Sequence, residues 1–175
     1  TADRGGIAHF VEHMLFKGTD TRSAEDIAQA IDSIGGQLDA FTAKEYAGYY
    51  IKVLDEHLPL AVELLSDIVR RPAFVEDEVG REKKVILEEI KMVEDTPDDL
   101  VHEIFAETLW PAHPLGRPIL GQRETVAALT RDDLVEILTE PKNALVRQYQ
   151  RFFGYDTIEL VFTEDALWEI AQHAL

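Results

Sequence analysis

The stretch His9-Phe10-Val11-Glu12-His13 constrains this chain more than any other. It is an H-x-x-E-H sequence inside an apolar run whose Ile7, Phe10, Val11, Met14 and Leu15 recur at helical spacing. Wound into a helix, those five side chains form one apolar face, and His9, Glu12 and His13 turn the other way with Phe16 among them. A helix that is apolar on one face and carries Phe on the other is covered on both sides, and buried histidines need partners. Histidines four positions apart lie one turn apart on one side of a helix, where both imidazoles reach a single metal ion. Glu12 lies on the same side and can polarise a water held by that metal. The ordering inverts the commoner H-E-x-x-H and supplies the minimum equipment for zinc-dependent peptide hydrolysis. A solvated polar helix face is the competing reading, and only the surroundings of a motif decide between the two.

A catalytic zinc takes three protein ligands and a water, so a third ligand must come from elsewhere. The segment 75–93 is its expected source. Val75, Val79, Ile86, Ile90 and Val93 recur there at helical spacing, and Glu82 and Glu89 fall within or beside that stripe, seven apart and therefore on one face. A carboxylate on a buried stripe is costly unless it is paired or metal-bound. The charged Glu76, Glu78, Lys83, Lys84 and Glu88 also suit an ordinary surface helix. Glu88 competes with Glu89 as the ligand, although it points about 100° away on a helical wheel. Spacing favours Glu89 and leaves Glu88 open.

Composition narrows the partners. Thirty-four acidic against 17 basic side chains give a formal net charge of −17, which repels nucleic acid and anionic membrane and suits a basic or mixed peptide better. There is no cysteine, so disulfides and thiolate zinc sites are excluded. With 46% hydrophobic residues the chain can bury a core. No stretch is apolar for long enough to span a bilayer. Thr1 rather than Met suggests a chain that begins inside a longer protein, where a targeting segment would not be visible, so compartment is unknown.

Along the chain, a helix is expected over 6–16 and is stopped by Gly18. Ser23, with Asp26 three residues on, caps a helix over 24–34 that ends at Gly35-Gly36. Strands are expected over 37–42 and 46–53, forming a hairpin that turns near Ala43-Lys44-Glu45. Helices succeed them over 58–69, 76–92 and 98–109, the last opened by Pro97. A Pro- and Gly-rich loop over 110–121 precedes a short turn at 125–129 and a helix capped by Thr130. His57, His102, His113 and His173 share no spacing and read as surface or core residues. The order suits an α+β domain with helices packed on one face of a mostly antiparallel sheet.

The residues 6–19, Gly-Ile-Ala-His-Phe-Val-Glu-His-Met-Leu-Phe-Lys-Gly-Thr, resemble the signature of the pitrilysin/insulinase metallopeptidases, the family that includes mitochondrial processing peptidase. So do Ile34-Gly35-Gly36, Ala40-Phe41-Thr42, the segment Glu82 to Glu89, and Pro114-Leu115-Gly116-Arg117-Pro118-Ile119-Leu120-Gly121. The resemblance implies that His9, His13 and Glu89 bind Zn2+, that Glu12 is the general base and that Glu82 is a second acid supporting the site. It also implies a peptide or unfolded-protein substrate that adds as a strand to the edge strand 37–42, and a second homologous half or subunit closing over it. Asp39 departs from the family, which often has Asn there. Degenerate, non-catalytic members exist in this family, but this chain keeps all four functional positions.

The resemblance ends near Asp132. Residues 133–175 instead resemble the small C-terminal domain of the AAA+ unfoldase ClpX, which implies a helix, a short strand and a final helix capped at Thr163. No G-x-x-x-x-G-K-[ST] loop is present, so nucleotide hydrolysis is not expected. The expected organisation is a truncated metallopeptidase half-domain over 1–132 and a ClpX-like fragment over 133–175, joined without a Gly, Ser or Pro linker. That junction suggests a chimeric chain, and an interaction module with an ATPase-derived tail is the alternative role.

Overall fold

A computed structural model describes residues 2–139 of the chain. The chain divides into two compact units between Glu136 and Ile137, and the first holds the hairpin, the helices that pack on it and the hydrophobic core. The strand and final helix expected in the tail lie outside the described residues.

Helix α1 (Ile7–Leu15) starts at Gly6, whose φ of 88° is open to glycine at little cost. A Cβ on Gly6 would lie 2.3 Å from the Leu120 carbonyl oxygen, and one on Gly121 would lie 2.5 Å from that of Gly5. The start of α1 and the Pro- and Gly-rich loop therefore meet backbone to backbone. The apolar face of α1 is buried as its spacing predicts: Ile7, Phe10, Val11, Met14 and Leu15 are all in the core.

Helix α2 (Ala24–Asp32) opens with a capping box in which Asp26 N–H donates to Ser23 Oγ (3.1 Å) and Ser23 N–H donates to Asp26 Oδ2 (2.9 Å). It stops before Gly35, at φ 64°. Strands β1 (Gln37–Thr42) and β2 (Ala47–Lys52) pair antiparallel from Gln37↔Lys52 to Thr42↔Ala47, with the turn closed by Ala43 N–H donating to the Tyr46 carbonyl at 2.8 Å. Helix α3 is Leu58–Arg70, α4 Glu76–Asp95, α5 Pro97–Leu109, α6 Arg123–Ala128 and α7 Arg131–Thr139. Thr130 caps α7: its Oγ accepts from Asp133 N–H, and its own N–H donates to Asp133 Oδ2.

Helix α2 ends at Asp32, two residues before its expected end, α6 starts at Arg123 rather than 125, and the segment 75–93 differs in two respects. Helix α4 continues past Met92 to Asp95, because the break comes only where Pro97 disfavours helix at Thr96. Val75 is half exposed and stands outside α4 as its cap, so the buried stripe is Val79, Glu82, Ile86 and Ile90.

Helix α1 packs on both α4 and β1, α2 rests against β1, and α3 rests against β2. Phe10, Met14, Leu64, Ile68 and Ile86 are fully buried where these elements meet. The described residues are thus helix-rich around a two-stranded antiparallel sheet, the hairpin expected over 37–53. Among them no helix is long and apolar enough to cross a membrane. Packing α1 between α4 and β1 turns its polar face toward both neighbours, and the candidate site lies there.

Candidate metal centre

His9 and His13 project from α1, and α4 brings Glu82 and Glu89 against them from two turns of the same face. His9 Nε2 and His13 Nε2 are 3.2 Å apart, and Glu89 Oε2 lies 3.7 Å from the first and 3.6 Å from the second. Two imidazole nitrogens and a carboxylate oxygen at such distances place lone pairs in mutual repulsion unless a proton or cation lies among them. Ligand atoms about 2.1 Å from a tetrahedral metal are about 3.4 Å from one another. The three observed separations bracket that value, and the donor set of two imidazoles and one carboxylate suits zinc. This trio is a group of metal-binding residue types whose donor atoms all lie within 4.8 Å of one another.

Electrostatics keeps His9 ready to donate a lone pair. Burial pushes its pKa below the ordinary imidazole value, the neighbouring His13 adds to that shift, and Glu89 only partly opposes it. Among the described residues His9 Nδ1 has no hydrogen-bond partner, although it is buried. His13 differs, since its Nδ1 is 3.1 Å from Glu82 Oε2.

Glu82 is buried, and its other oxygen, Oε1, lies 2.7 Å from Lys17 Nζ. Burial would raise the pKa of this carboxyl. The hydrogen bonds from Lys17 and His13 outweigh that and hold it below the ordinary carboxylate range. Glu82 thus stands behind His13, on the side away from His9 and Glu89.

Glu12, on the same helix, meets the β1–β2 hairpin. Thr42, the last residue of β1, donates its hydroxyl proton to Glu12 Oε2. Tyr49 on β2 is close enough to feel Glu12: burial first, and then the Glu12 charge, push its hydroxyl up to about 12, so it stays protonated.

Glu88 and Glu89 separate clearly. The Glu88 side chain is 74% exposed and 3.8 Å from Lys91, whereas Glu89 turns toward the imidazoles. Asp39 is engaged within its own hairpin, where Oδ1 accepts from Ala40 N–H (2.8 Å) and Oδ2 from the Tyr50 hydroxyl (3.0 Å). His113 accepts from Leu115 N–H in the loop, away from the cluster.

Sequence reasoning assigned no role to Lys17 or Thr42. For Lys17 a signal existed: it continues the i, i+4 series of His9 and His13 by one more step. For Thr42 none did, because its partner lies 30 residues away across a strand–helix contact.

Residues 1–123 match the family model described as Insulinase (Peptidase family M16). The chain is 52% identical over 134 residues to the uncharacterized zinc protease YmxG of Bacillus subtilis, covering 77% of this chain and 33% of that protein. An uncharacterized zinc protease of Mycobacterium leprae is 52% identical over 129 residues, covering 74% of this chain and 29% of its own length. Among solved structures, a protease from Helicobacter pylori superposes with a TM-score of 0.74 at 26% identity, covering 77% of this chain and 33% of that one. Pitrilysin superposes with a TM-score of 0.66 at 27% identity, covering 79% and 15%. The chain spans about a third of the length of the curated relatives it matches. This chain belongs to the insulinase family of peptidases, family M16.

Proposed function

We propose that this chain carries the metal-binding half-site of a zinc metalloendopeptidase, with His9, His13 and Glu89 as ligands and Glu12 as general base. The observation that carries this reading is the convergence of two imidazole nitrogens and the Glu89 carboxylate within 3.7 Å of one another. When bound, zinc would supply Lewis acidity, lowering the pKa of a held water and polarising the scissile carbonyl.

The other steps fall to side chains. Glu12 takes a proton from the attacking water and later delivers it to the leaving amine. Thr42 donates to Oε2 of Glu12, and Oε1 is the oxygen we propose for the proton transfer. Glu82 keeps His13 oriented, as carboxylates behind metal-bound histidines do.

Among the described residues β1 pairs only with β2, and its other edge suits an extended peptide added as a strand. Main-chain pairing reads no side chains, which favours broad peptide specificity. Asp39 already occupies the Ala40 N–H, so a strand using that donor has to displace it.

The boundary we adopt is 1–132 for the metallopeptidase portion and 133–175 for the ClpX-like piece. The latter should bind no nucleotide, which titration with ATP would check. Because the matched segment is only about a third of each relative, we assign substrate closure to a second homologous half. The isolated chain is therefore expected to bind zinc and to cleave peptides weakly or not at all. Turnover of an unfolded peptide by the wild-type chain and by Glu12→Gln tests this. Strong turnover by the isolated chain overturns the need for a second half, and measurable wild-type turnover that Glu12→Gln matches overturns the role of Glu12.

A further inference from the structure

The two histidines are held unequally, and the difference traces to a residue outside the H-x-x-E-H stretch. Among the described residues His9 Nδ1 is buried with no hydrogen-bond partner, while His13 Nδ1 meets Glu82. Glu82 in turn has one oxygen on His13 and the other on Lys17. Its side chain is 9% exposed, that of Lys17 33%. A carboxylate so buried keeps its place only while its oxygens are satisfied, because removing one partner of a buried charged pair leaves an uncompensated charge. Lys17 is the cation in this arrangement. Without it Glu82 retains a single donor, and swinging toward solvent becomes the better outcome.

The backbone that presents Lys17 is itself fixed. Lys17 N–H donates to the Met14 carbonyl at 3.1 Å. Gly18 bridges to Ser23, Thr19 bridges to Pro72, and the Thr19 hydroxyl donates to the buried Asp67 at 2.8 Å. The ammonium is thus delivered by an anchored turn.

We propose that Lys17 is a positioning residue of the metal centre: it locks Glu82, and Glu82 holds His13 as the Nδ1–H tautomer with Nε2 presented toward His9 and Glu89. A neutral imidazole binds metal through the nitrogen that carries no proton, and the hydrogen bond made by the other nitrogen decides which one that is. Lys17 therefore acts on the ligand through two contacts, without touching the metal. His9 has no such anchor and takes its orientation from packing and from the metal. The inference rests on the proposed zinc site, but its first readout does not need zinc.

The test uses the full chain with 15N-labelled histidine, as wild type, Lys17→Met and Lys17→Arg. In metal-free protein near pH 8, two-bond 15N–1H correlations report the His13 tautomer. Wild type and Lys17→Arg are expected to show Nδ1–H, and Lys17→Met a mixture. Zinc affinity, measured by competition with a chelating dye, is expected to fall about tenfold in Lys17→Met and to be restored by Lys17→Arg, in line with other residues behind metal ligands. Circular dichroism establishes that each variant is folded. If Lys17→Met does not fold, Lys17→Gln at the same position gives the same two readouts. A folded, charge-removing variant that keeps the wild-type tautomer overturns the proposal, whatever happens to zinc affinity, because the effect would not run through Glu82. If wild type holds no zinc while the tautomer still tracks Lys17, the positioning role stands and the metallopeptidase reading falls.

Discussion

Asp67 and Glu82 are the buried acidic side chains among the described residues, and one short stretch of chain serves both. His13 and Lys17 reach Glu82 on α4. A few residues later Thr19, Thr21 and Arg22 reach Asp67 on α3, with both hydroxyls at 2.8 Å and the guanidinium at 2.9 Å from Oδ2. The physical demand is the same in each case. Burial would raise each carboxyl pKa, and hydrogen bonds outweigh it to leave the value below the ordinary range. The outcomes differ because of what else the donors can do. The other contacts of the donors at Asp67 stay within the scaffold, the guanidinium reaching Glu63 and the Thr19 hydroxyl accepting from Thr21 and Arg22 N–H, so that network pins the loop after α1 to α3. One donor at Glu82 is an imidazole whose other nitrogen faces His9 and Glu89, so the same kind of network aims a ligand. A buried carboxylate is thus a staple or a positioning device according to the residues that satisfy it.

The contrast is tested most severely at Asp67. Asp67→Ala leaves the Thr19 and Thr21 hydroxyls without their buried acceptor and Arg22 with Glu63 alone, and should lower unfolding stability by about 3 kcal/mol, measured by urea denaturation. Zinc stoichiometry of the folded fraction should be unchanged. Glu82→Gln should do the reverse: zinc affinity drops 10- to 100-fold in a chelator competition, about 1.4 to 2.7 kcal/mol, with a smaller loss of stability. If each variant showed both effects equally, the two networks would be one unit and the distinction would fail.

Acid acts on both carboxylates in the same direction, and variants at Asp67 isolate its share. The folded-state pKa of Asp67 lies below its ordinary value, which is about 3.9. Its stabilisation is therefore fully present above that value and is lost as pH falls through the lower, folded one. Urea stability measured from pH 5 down to pH 2 should decline, and Asp67→Asn should flatten that decline from an already lower starting point. The smallest effect is expected at Thr42. Thr42→Val removes one hydrogen bond to Glu12 and should cost about 1 kcal/mol of stability, with zinc affinity unchanged within about twofold. A tenfold loss of affinity would place Glu12 among the metal's ligands.

Most of the local structure was legible in the residues. The apolar face of α1, the Ser23–Asp26 capping box and the limits of β1 depend on neighbours within a turn or a pleat, which one-dimensional spacing records. The choice between Glu89 and Glu88 was half legible, since a wheel separates them by about 100° but does not say which side faces α1. Packing decides it, with Glu88 turned to solvent. The pairings at the hubs were not legible, although spacing places Lys17 on the His9–His13 side of its helix. Lys17 and Glu82 lie 65 positions apart, Thr42 and Glu12 lie 30 apart, and Asp67 meets Thr19 across 48. Such pairs form only when α1 packs against α4, β1 and the segment leading to α3, and no spacing rule anticipates them. The family resemblance marked Glu82 as a supporting acid without indicating that Lys17 completes its surroundings.

The proposed ligand set is tested most directly by zinc content, from elemental analysis after exhaustive dialysis, for wild type, Glu88→Gln and Glu89→Gln. One zinc per chain is expected for wild type and Glu88→Gln, with a large loss for Glu89→Gln. One tightly held zinc retained by Glu89→Gln would contradict the assignment of Glu89 as the third ligand.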